Sequence, residues 1–370
     1  MDNKRQRLWI ISELFPPEET STAYIMGEIA KVLSSKYDVG VICGPEIYDK
    51  SRKQSNNNSS TESIEIYRAK VKTFNKNSLI GKARSFLSTT LAIYKLAKKL
   101  VNQDDKVLMV TNPALLVVLI GRLRIKRNFQ LNILVHDVFP ENTKAARMSL
   151  PFYSAIKSLF DKAYSKADRL ITIGRDMAVI LGQKTKGAVP INVIENWGDF
   201  ENIQPHTMPD NDRIILEYAG NIGRVQGLED VIAILPDNID FHLYGSGAIE
   251  NKLKALKKSN VFFHGPYSRN EQTSILGACH ISLVTLNEKM YGLGVPSKTY
   301  NILASGRPIL YFGPQNSEIE LLIKETGIGY CGWPKEWDIR ELRLKGQKAR
   351  EIGERRYSKE RILNKFLEII

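Results

Sequence analysis

Along this 370-residue chain, short apolar runs alternate with amphipathic stretches, and the alternation persists through both halves. In the first half, runs rich in β-branched residues predict strands at Arg7 to Ser12, Tyr37 to Cys43, Ser63 to Ala69, Lys106 to Val110, Asn132 to Val135, Arg169 to Ile173 and Ile191 to Ile194. Helical spacing of apolar residues predicts helices near Ser21 to Ser34, Ile80 to Val101, Ala114 to Lys126, Pro151 to Lys166 and Arg175 to Gln183. The second half repeats the rhythm, with strands at Arg213 to Tyr218, Asp240 to Tyr244, Val261 to His264, Ile281 to Thr285 and Pro308 to Phe312. Its helices are expected after Gly227 to Leu235, at Ile249 to Lys258, Arg269 to Cys279 and from Lys298 to Gly306, with one long terminal helix from about Lys345 to Ile370 that is expected to reach back to the first domain. Strands separated by helices imply α/β domains with parallel sheets covered on both faces.

Between the halves, Glu195 to Asp212 breaks the rhythm with a glycine, two prolines and polar residues, as a linker would. The expected division is therefore residues 1–198 and 199–370, two Rossmann-like domains around a cleft. Ser51 to Ser60 contains no apolar residue and is expected to be a surface loop.

Length supports two domains, each large enough to bury its own core. Cys43, Cys279 and Cys331 are far apart and form no Cys-x-x-Cys or Cys/His cluster, so reduced thiols in the cytoplasm are expected. The apolar run Leu8 to Ile11 is too short for a signal-peptide core, and the longest later run, Ala114 to Ile120, is far below a membrane span. Charge is more informative. The net charge of +13 lies wholly in residues 1–198, with 31 Lys and Arg against 18 Asp and Glu, whereas residues 199–370 hold 22 of each. A basic half beside a neutral one points to a polyanionic partner: an anionic membrane, nucleic acid or a phosphorylated substrate.

Three glycine-rich turns in the neutral half carry candidate chemistry. Tyr291-Gly-Leu-Gly-Val-Pro-Ser-Lys298 runs into a short helix, an arrangement that can hold an anion at a helix N-terminus and so points to a phosphate-bearing ligand. Gly220-Asn-Ile-Gly-Arg224 follows a strand, so its N–H groups can face a pyrophosphate while Arg224 neutralises charge; ordinary strand-to-helix turns would use the same glycines. Gly245-Ser-Gly247 alone is more often a structural turn. All three lie at carboxyl ends of predicted parallel strands, where ligands bind in open α/β sheets. The spacing is not Gly-x-Gly-x-x-Gly, which argues against an NAD enzyme.

His136-Asp137 follows a predicted strand in the first half and is placed either as a strand-end cap or for proton transfer. Asp210-Asn-Asp212 has the form of a metal-binding Asp-x-Asp but lies in the polar linker, so no metal site and no cofactor are expected. Lysines interleave with Leu79, Phe86, Leu87, Leu91, Tyr94 and Leu96 in the helix near Ile80 to Val101, and Arg122-Leu-Arg-Ile-Lys-Arg127 is strongly basic. Both suit a helix lying on an anionic membrane, or a solvated face packed by its apolar stripe.

These residues together resemble retaining glycosyltransferases of sequence family 4, with the GT-B fold, and are similar to bacterial enzymes of O-antigen, capsule and colanic-acid assembly. The resemblance runs in order through Leu14 to Ala23, Val135 to Glu141, Ile194 to Trp197, Tyr218 to Arg224, Leu243 to Gly247, Phe263 to Pro266 and Gly294 to Pro308. It implies that the second domain binds a nucleotide-sugar and the first binds an acceptor. By position, Arg224 and Lys298 would hold the diphosphate with Gly220, Asn221, Gly245, Gly247 and Ser297; His264 to Tyr267 would contact the base, and Glu318 and Asn301 the donor. His136 and Asp137 would face the reacting carbon, with Glu19, Thr20, Ser21 and Thr22 beside the phosphates. Where the family carries two Glu separated by seven residues this chain has Leu293 and Asn301, where it carries a second cation it has Gln226, and Thr20 to Thr22 replace a glycine pair.

The expectation is a cytoplasmic, membrane-associated, metal-independent hexosyltransferase. It would pass a sugar from a UDP-type donor to a lipid-linked or oligosaccharide acceptor, with no nucleic-acid partner. A nucleotide-sugar epimerase of the same fold, or a non-catalytic nucleic-acid-binding protein, are the alternatives.

Overall fold

A computed structural model describes residues 5–18, 20–46, 64–71 and 79–370. Glu19, the stretch Ser51 to Ser60 and the side chains of Leu79, Ile80 and Lys82 lie outside the described residues.

The first domain runs β1 (Arg7–Ser12), α1 (Ser21–Leu33), β2 (Asp38–Cys43), β3 (Glu65–Arg68), α2 (Leu79–Leu100), β4 (Lys106–Val110), α3 (Ala114–Arg127), β5 (Gln130–Val135), α4 (Glu141–Ala145), α5 (Tyr153–Tyr164), β6 (Arg169–Thr172), α6 (Arg175–Thr185) and β7 (Ile191–Val193). Its seven strands pair in the order β3-β2-β1-β4-β5-β6-β7, all parallel. Helices cover both faces, which is why the central strands are apolar at nearly every position: Leu8, Ile10, Ile11, Val107, Leu108 and Met109 are fully buried.

The second domain runs β8 (Ile214–Ala219), α7 (Leu228–Ala233), β9 (Ile239–Tyr244), α8 (Glu250–Lys254), β10 (Val261–Gly265), α9 (Gln272–Gly277), β11 (Ile281–Thr285), α10 (Lys298–Ala304), β12 (Ile309–Phe312), α11 (Glu318–Thr326), β13 (Gly329–Cys331), α12 (Ile339–Tyr357) and α13 (Lys359–Ile369). Its six parallel strands pair in the order β10-β9-β8-β11-β12-β13.

The structure departs from the pattern reading in the terminal helix and in the basic cluster, and it adds α11 and β13, which that reading did not predict. The single terminal helix is two, because Ser358 takes an extended conformation (φ −66°, ψ 146°) and ends α12. The turn sends α13 back onto α1 in the first domain, where Lys36 Nζ donates to the Leu367 carbonyl at 2.9 Å and Lys365 pairs with Glu195 at 2.7 Å. Second, the basic cluster on α3 is only partly available to a partner. Arg124 binds the Asp168 carboxylate at 2.6 Å and Arg127 donates to the Val101 carbonyl, while Arg122 and Lys126 are exposed.

One buried ion network fixes the loop that follows β5. Lys184 on α6, with a side chain 2% exposed, bonds both oxygens of Glu141 at 2.7 and 2.8 Å and approaches Asp161 on α5 to 2.6 Å. Glu141 opens α4, so this cation ties three helices together directly beneath His136 to Pro140. Removing it leaves the two carboxylates to the part-exposed Lys157 alone, which lies 2.6 Å from Asp161 and 3.5 Å from Glu141, a loss that approaches the roughly 3 to 5 kcal/mol of a broken buried pair. Lys184→Ala is therefore expected to lower the denaturant-unfolding free energy by about that amount; a loss below about 1 kcal/mol would show that the network is not structural.

Candidate active site

The carboxyl edges of the two sheets face each other, and a loop of the second domain closes the gap. His136 and Asp137 directly follow β5, and Gly174, Arg175 and Asp176 follow β6. Onto them lies the glycine-rich loop that begins at Tyr291. Val138 N–H donates to the Leu293 carbonyl at 3.0 Å, and Gly292 N–H donates to Asp176 Oδ2 at 3.1 Å. A Cβ at Gly292 would sit 2.4 Å from Ile180 Cγ1, and one at Gly294 would sit 3.3 Å from Asp137 Oδ1, so the backbone comes this close only because these residues lack side chains. Arg175 adds a fork onto Glu318, with Nε to Oε2 and Nη2 to Oε1 both at 3.0 Å.

At its far end the same loop delivers Lys298 to the other glycine turns. The Lys298 ammonium lies 3.1 Å above the centre of the Tyr218 ring, and a Cβ on Gly220 would be 3.1 Å from its Nζ. The turns at 220 and 245 interlock: Gly220 N–H bonds the Tyr244 carbonyl at 2.9 Å and Ile222 N–H bonds that of Ser246 at 3.0 Å. Gly245, at φ +124°, could carry no Cβ, which would lie 1.9 Å from the Gly220 carbonyl oxygen. Gly245 and Gly247 thus shape the cradle by letting backbone meet backbone. Arg224 and Asn221 are exposed on the first turn, and Ser297 is exposed with a hydroxyl that caps nothing. Among the described residues Arg224 has no carboxylate or hydrogen-bond partner, so its charge is available.

Lys298 Nζ is buried and makes no hydrogen bond. Burial pushes its pKa down to about 7, countered only by the charge of Glu217. Glu217, on β8 and 2% exposed, is pushed up to about 7 by the same cause, with Ser282 and Lys298 favouring its ionised form. His136 is held near 4 by burial and is therefore a neutral imidazole at neutral pH, with a buried Nε2 that lacks a partner. Asp137 opens onto the cleft but is hemmed in by protein, and this burial raises its pKa.

Other predicted site residues are placed differently. Asn301 does not join the cradle: its Oδ1 accepts from Asp199 N–H at 3.0 Å and its Nδ2 donates to Gln272 at 3.2 Å, which ties the linker to α9. Glu318 sits at the domain contact, held by Arg175. Leu293, where the resembled family carries a Glu, is buried and uses its carbonyl. Thr20 caps α1, accepting from Ala23 N–H at 3.2 Å, with Ser21 and Thr22 in the first turn. His264 stacks on Tyr244 at 4.3 Å and bonds His242 at 2.9 Å, extending a column of rings along β9 and β10. The helix expected to bind an anion with its N-terminus, α10, has only seven residues, so the cationic side chains rather than a macrodipole define the site. Among the described residues no three His, Cys, Asp or Glu side chains are grouped to hold a metal ion.

Sequence reasoning passed over Arg175, Asp176 and Glu217. Glu217 left one signal, a lone carboxylate inside the otherwise apolar run Ile214 to Ala219.

This architecture is the GT-B fold. Sucrose-phosphate synthase of Thermosynechococcus elongatus superposes with a TM-score of 0.71 at 14% identity, covering 99% of this chain and 98% of that one. HepE of Anabaena, solved in complex with UDP, gives 0.62 at 13% identity over 98% of both chains. No protein-family model matches the sequence. Among curated proteins, glycosyltransferase WbjE of Pseudomonas aeruginosa is 30% identical over 97% of this chain and 96% of its own length. The colanic acid biosynthesis glycosyl transferase WcaI of Escherichia coli K12 is 29% identical over 55% of this chain and 57% of its own. The chain belongs to the glycosyltransferases, which sets aside the epimerase and nucleic-acid-binding alternatives.

The low pKa of His136 makes stability depend on acidity with a definite sign. Between the ordinary histidine value of about 6.5 and about 4, the unfolded chain binds a proton that the native state does not. The native state is thus progressively disfavoured as pH falls through that window. His136→Asn should remove this part of the slope, so that the stability difference between variant and wild type changes from pH 7 to pH 5; urea unfolding at both values checks it, and a constant difference would refute it.

Proposed function

We propose that this glycosyltransferase is a retaining, metal-independent enzyme that moves a sugar from a UDP-linked donor to a lipid-linked or oligosaccharide acceptor in surface-polysaccharide assembly. Residues 199–370 would bind the donor and residues 1–198 the acceptor. The observation that carries the reading is the buried, unpaired ammonium of Lys298 beside Gly220, a position complementary to a nucleoside diphosphate. Departure of the diphosphate develops negative charge on its bridging oxygen; Lys298 and Arg224 would stabilise it from fixed positions, the role a divalent ion plays elsewhere. Asp137 and the neutral His136 open onto the cleft from the opposite domain, where they would position the acceptor hydroxyl. The exposed ring of His264, on its stack with Tyr244, offers a face to the base. The WcaI name supports a place in polysaccharide assembly, and the UDP bound to HepE supports the nucleotide.

One binding series tests the site. Lys298→Ala and Arg224→Ala should each weaken UDP binding by roughly 1.5 to 3 kcal/mol, the scale of a hydrogen bond to a charged group. Asp137→Asn should keep UDP affinity while turnover falls, and EDTA should leave turnover intact. Calorimetry showing unchanged UDP affinity in both cation variants would overturn the donor site.

The acceptor domain is further proposed to rest on the cytoplasmic face of an anionic membrane. No described helix is long and apolar enough to cross one. On α2, Phe86, Leu87 and Leu91 are 41%, 46% and 46% exposed, and Arg84, Lys95, Lys98 and Lys99 are exposed on the same helix. Ile125, 60% exposed, sits between Arg122 and Lys126 on the adjoining α3. Each basic side chain near such a surface contributes about 1 kcal/mol, so a handful suffices for reversible, salt-sensitive docking. Replacing Lys95, Lys98, Lys99, Arg122 and Lys126 by Gln should abolish sedimentation with phosphatidylserine-rich vesicles at low salt. Wild type that ignores such vesicles would refute the docking.

A further inference from the structure

We propose that His242 is a positioning residue for the nucleobase: a hydrogen bond from its ring holds the His264 imidazole flat as the plate on which the base of the donor stacks. The inference rests on the base position proposed above and concerns a residue outside that site.

The backbone alone does not set the plate. β10 is an edge strand of the second sheet, and its register on β9 shifts: Phe263 pairs with Leu243 and Gly265 with Tyr244, so His264 is the extra residue of a bulge. A bulge re-aims the side chain it carries. His264 is exposed, so its ring would turn about its side-chain bonds unless other groups held it, and ordering it only when a ligand arrives would weaken binding. Two groups hold it. Its face lies on the Tyr244 ring, with centroids 4.3 Å apart and planes 11° apart. Its Nε2 lies 2.9 Å from Nδ1 of His242 on β9.

The two imidazole planes are 7° apart and their centroids are separated by 5.1 Å. Rings stacked face to face cannot bring nitrogens to 2.9 Å, which is inside van der Waals contact. The rings therefore lie side by side in nearly one plane, with one proton shared between their edges. That bond resists rotation of His264, and among the described residues only Tyr244 stacks on its face. His242 is a firm support: it is half-buried on β9, between β8 and β10, and its ring lies against Phe262 at 4.9 Å. The plate also adjoins the donor cradle. Gly245 N–H donates to the Gly265 carbonyl at 2.7 Å, and Gly220 N–H to that of Tyr244 at 2.9 Å. A nucleotide with its phosphates at Gly220 and Lys298 would extend its base along these turns toward His264.

Calorimetry with two probes tests the role: UDP, and inorganic pyrophosphate, which has no base to stack. The proteins are wild type, His264→Ala, His242→Phe, His242→Asn and the combined His242→Phe/His264→Ala. Phenylalanine keeps a flat ring beside Phe262 but removes the nitrogen, whereas asparagine gives up the ring but sets an amide where Nδ1 stood. His264→Ala should weaken UDP binding about fivefold or more, the scale of a base stacked on a side-chain ring. His242→Phe should weaken it about threefold or more, as the loss of one neutral hydrogen bond does, while His242→Asn stays within about twofold of wild type. Pyrophosphate affinity should change less than about twofold throughout, and His242→Phe should have no further effect once His264 is alanine, since no ring is left to position. Phenylalanine tolerated and asparagine not would show that His242 only packs. A loss shared by pyrophosphate, or one that persists in the His264→Ala background, would likewise overturn the positioning role. If His264→Ala binds UDP as wild type does, the base position itself is wrong and the inference falls with it; if that variant weakens UDP but His242→Phe does not, only this inference fails.

Discussion

The site depends on one steric constraint: backbone of the second domain must lie directly against backbone of the first. The Val138 amide reaches the Leu293 carbonyl, and the Gly292 amide reaches Asp176, because no side chain at 292 or 294 intervenes. A hydrogen bond of this kind is short and directional, so it sets both the depth of the cleft and the rotation of one domain on the other. His136 and Asp137 occupy one side of that contact, and the loop that makes it continues into Lys298. The candidate residues of the first domain and the candidate cation of the second are therefore both adjoined by a single segment of chain. Where the resembled family places a glutamate, Leu293 contributes a buried side chain and its carbonyl, which suits a residue whose work is to hold the domains together.

That geometry carries an electrostatic cost. Taking an ammonium out of water costs several kcal/mol, and a desolvated cation–π contact returns about 2 kcal/mol or somewhat more. Lys298 Nζ is buried and makes no hydrogen bond with a described residue. In the proposed function, a diphosphate would meet a charge already fixed in place, and the protein would not need to reorganise as the leaving group became negative. The shortness of α10 and α7 strengthens the point, since helices of seven and six residues add little field of their own.

Most strands were legible because they are buried on both faces, which leaves an unbroken apolar run such as Leu8 to Ile11. The break at Ser358 was not, because good helix formers flank it and neither proline nor glycine marks the turn; α13 leaves the line of α12 to pack on α1. Helix α11 and strand β13 were also hidden, one opening on the polar Glu318 and Glu320 and the other spanning three residues. Gly220, Gly245, Gly292 and Lys298 could be singled out because tight turns ending in a cation leave a local pattern. For Asn301, position along the helix does not say that both ends of its amide are occupied by Asp199 and Gln272. Arg175, Asp176 and Glu217 matter through partners in other elements, and contacts between residues 143 positions apart, such as Arg175 with Glu318, have no signature in a single sequence.

The same limit governs what net charge can say. A count of +13 suggests a broadly positive face, yet several of these cations are consumed inside the first domain. Lys184 neutralises Glu141 and Asp161, Arg124 neutralises Asp168, and Lys106 donates to the Tyr37 hydroxyl at 3.0 Å. Such residues support packing and contribute nothing directional to a partner. Exposed cations remain on the adjoining α2 and α3, among them Arg84, Lys95, Lys98, Lys99, Arg122 and Lys126, and Phe86, Leu87, Leu91 and Ile125 are exposed there too. Apolar exposure and charge on the same helices impose opposite demands on water, and the proposed docking on an anionic lipid surface would satisfy both, because headgroups would meet the lysines while the acyl boundary accepted Phe86, Leu87 and Leu91. A soluble polyanion would leave those three side chains in water, which is why the surface argues for a membrane where the charge count by itself could not.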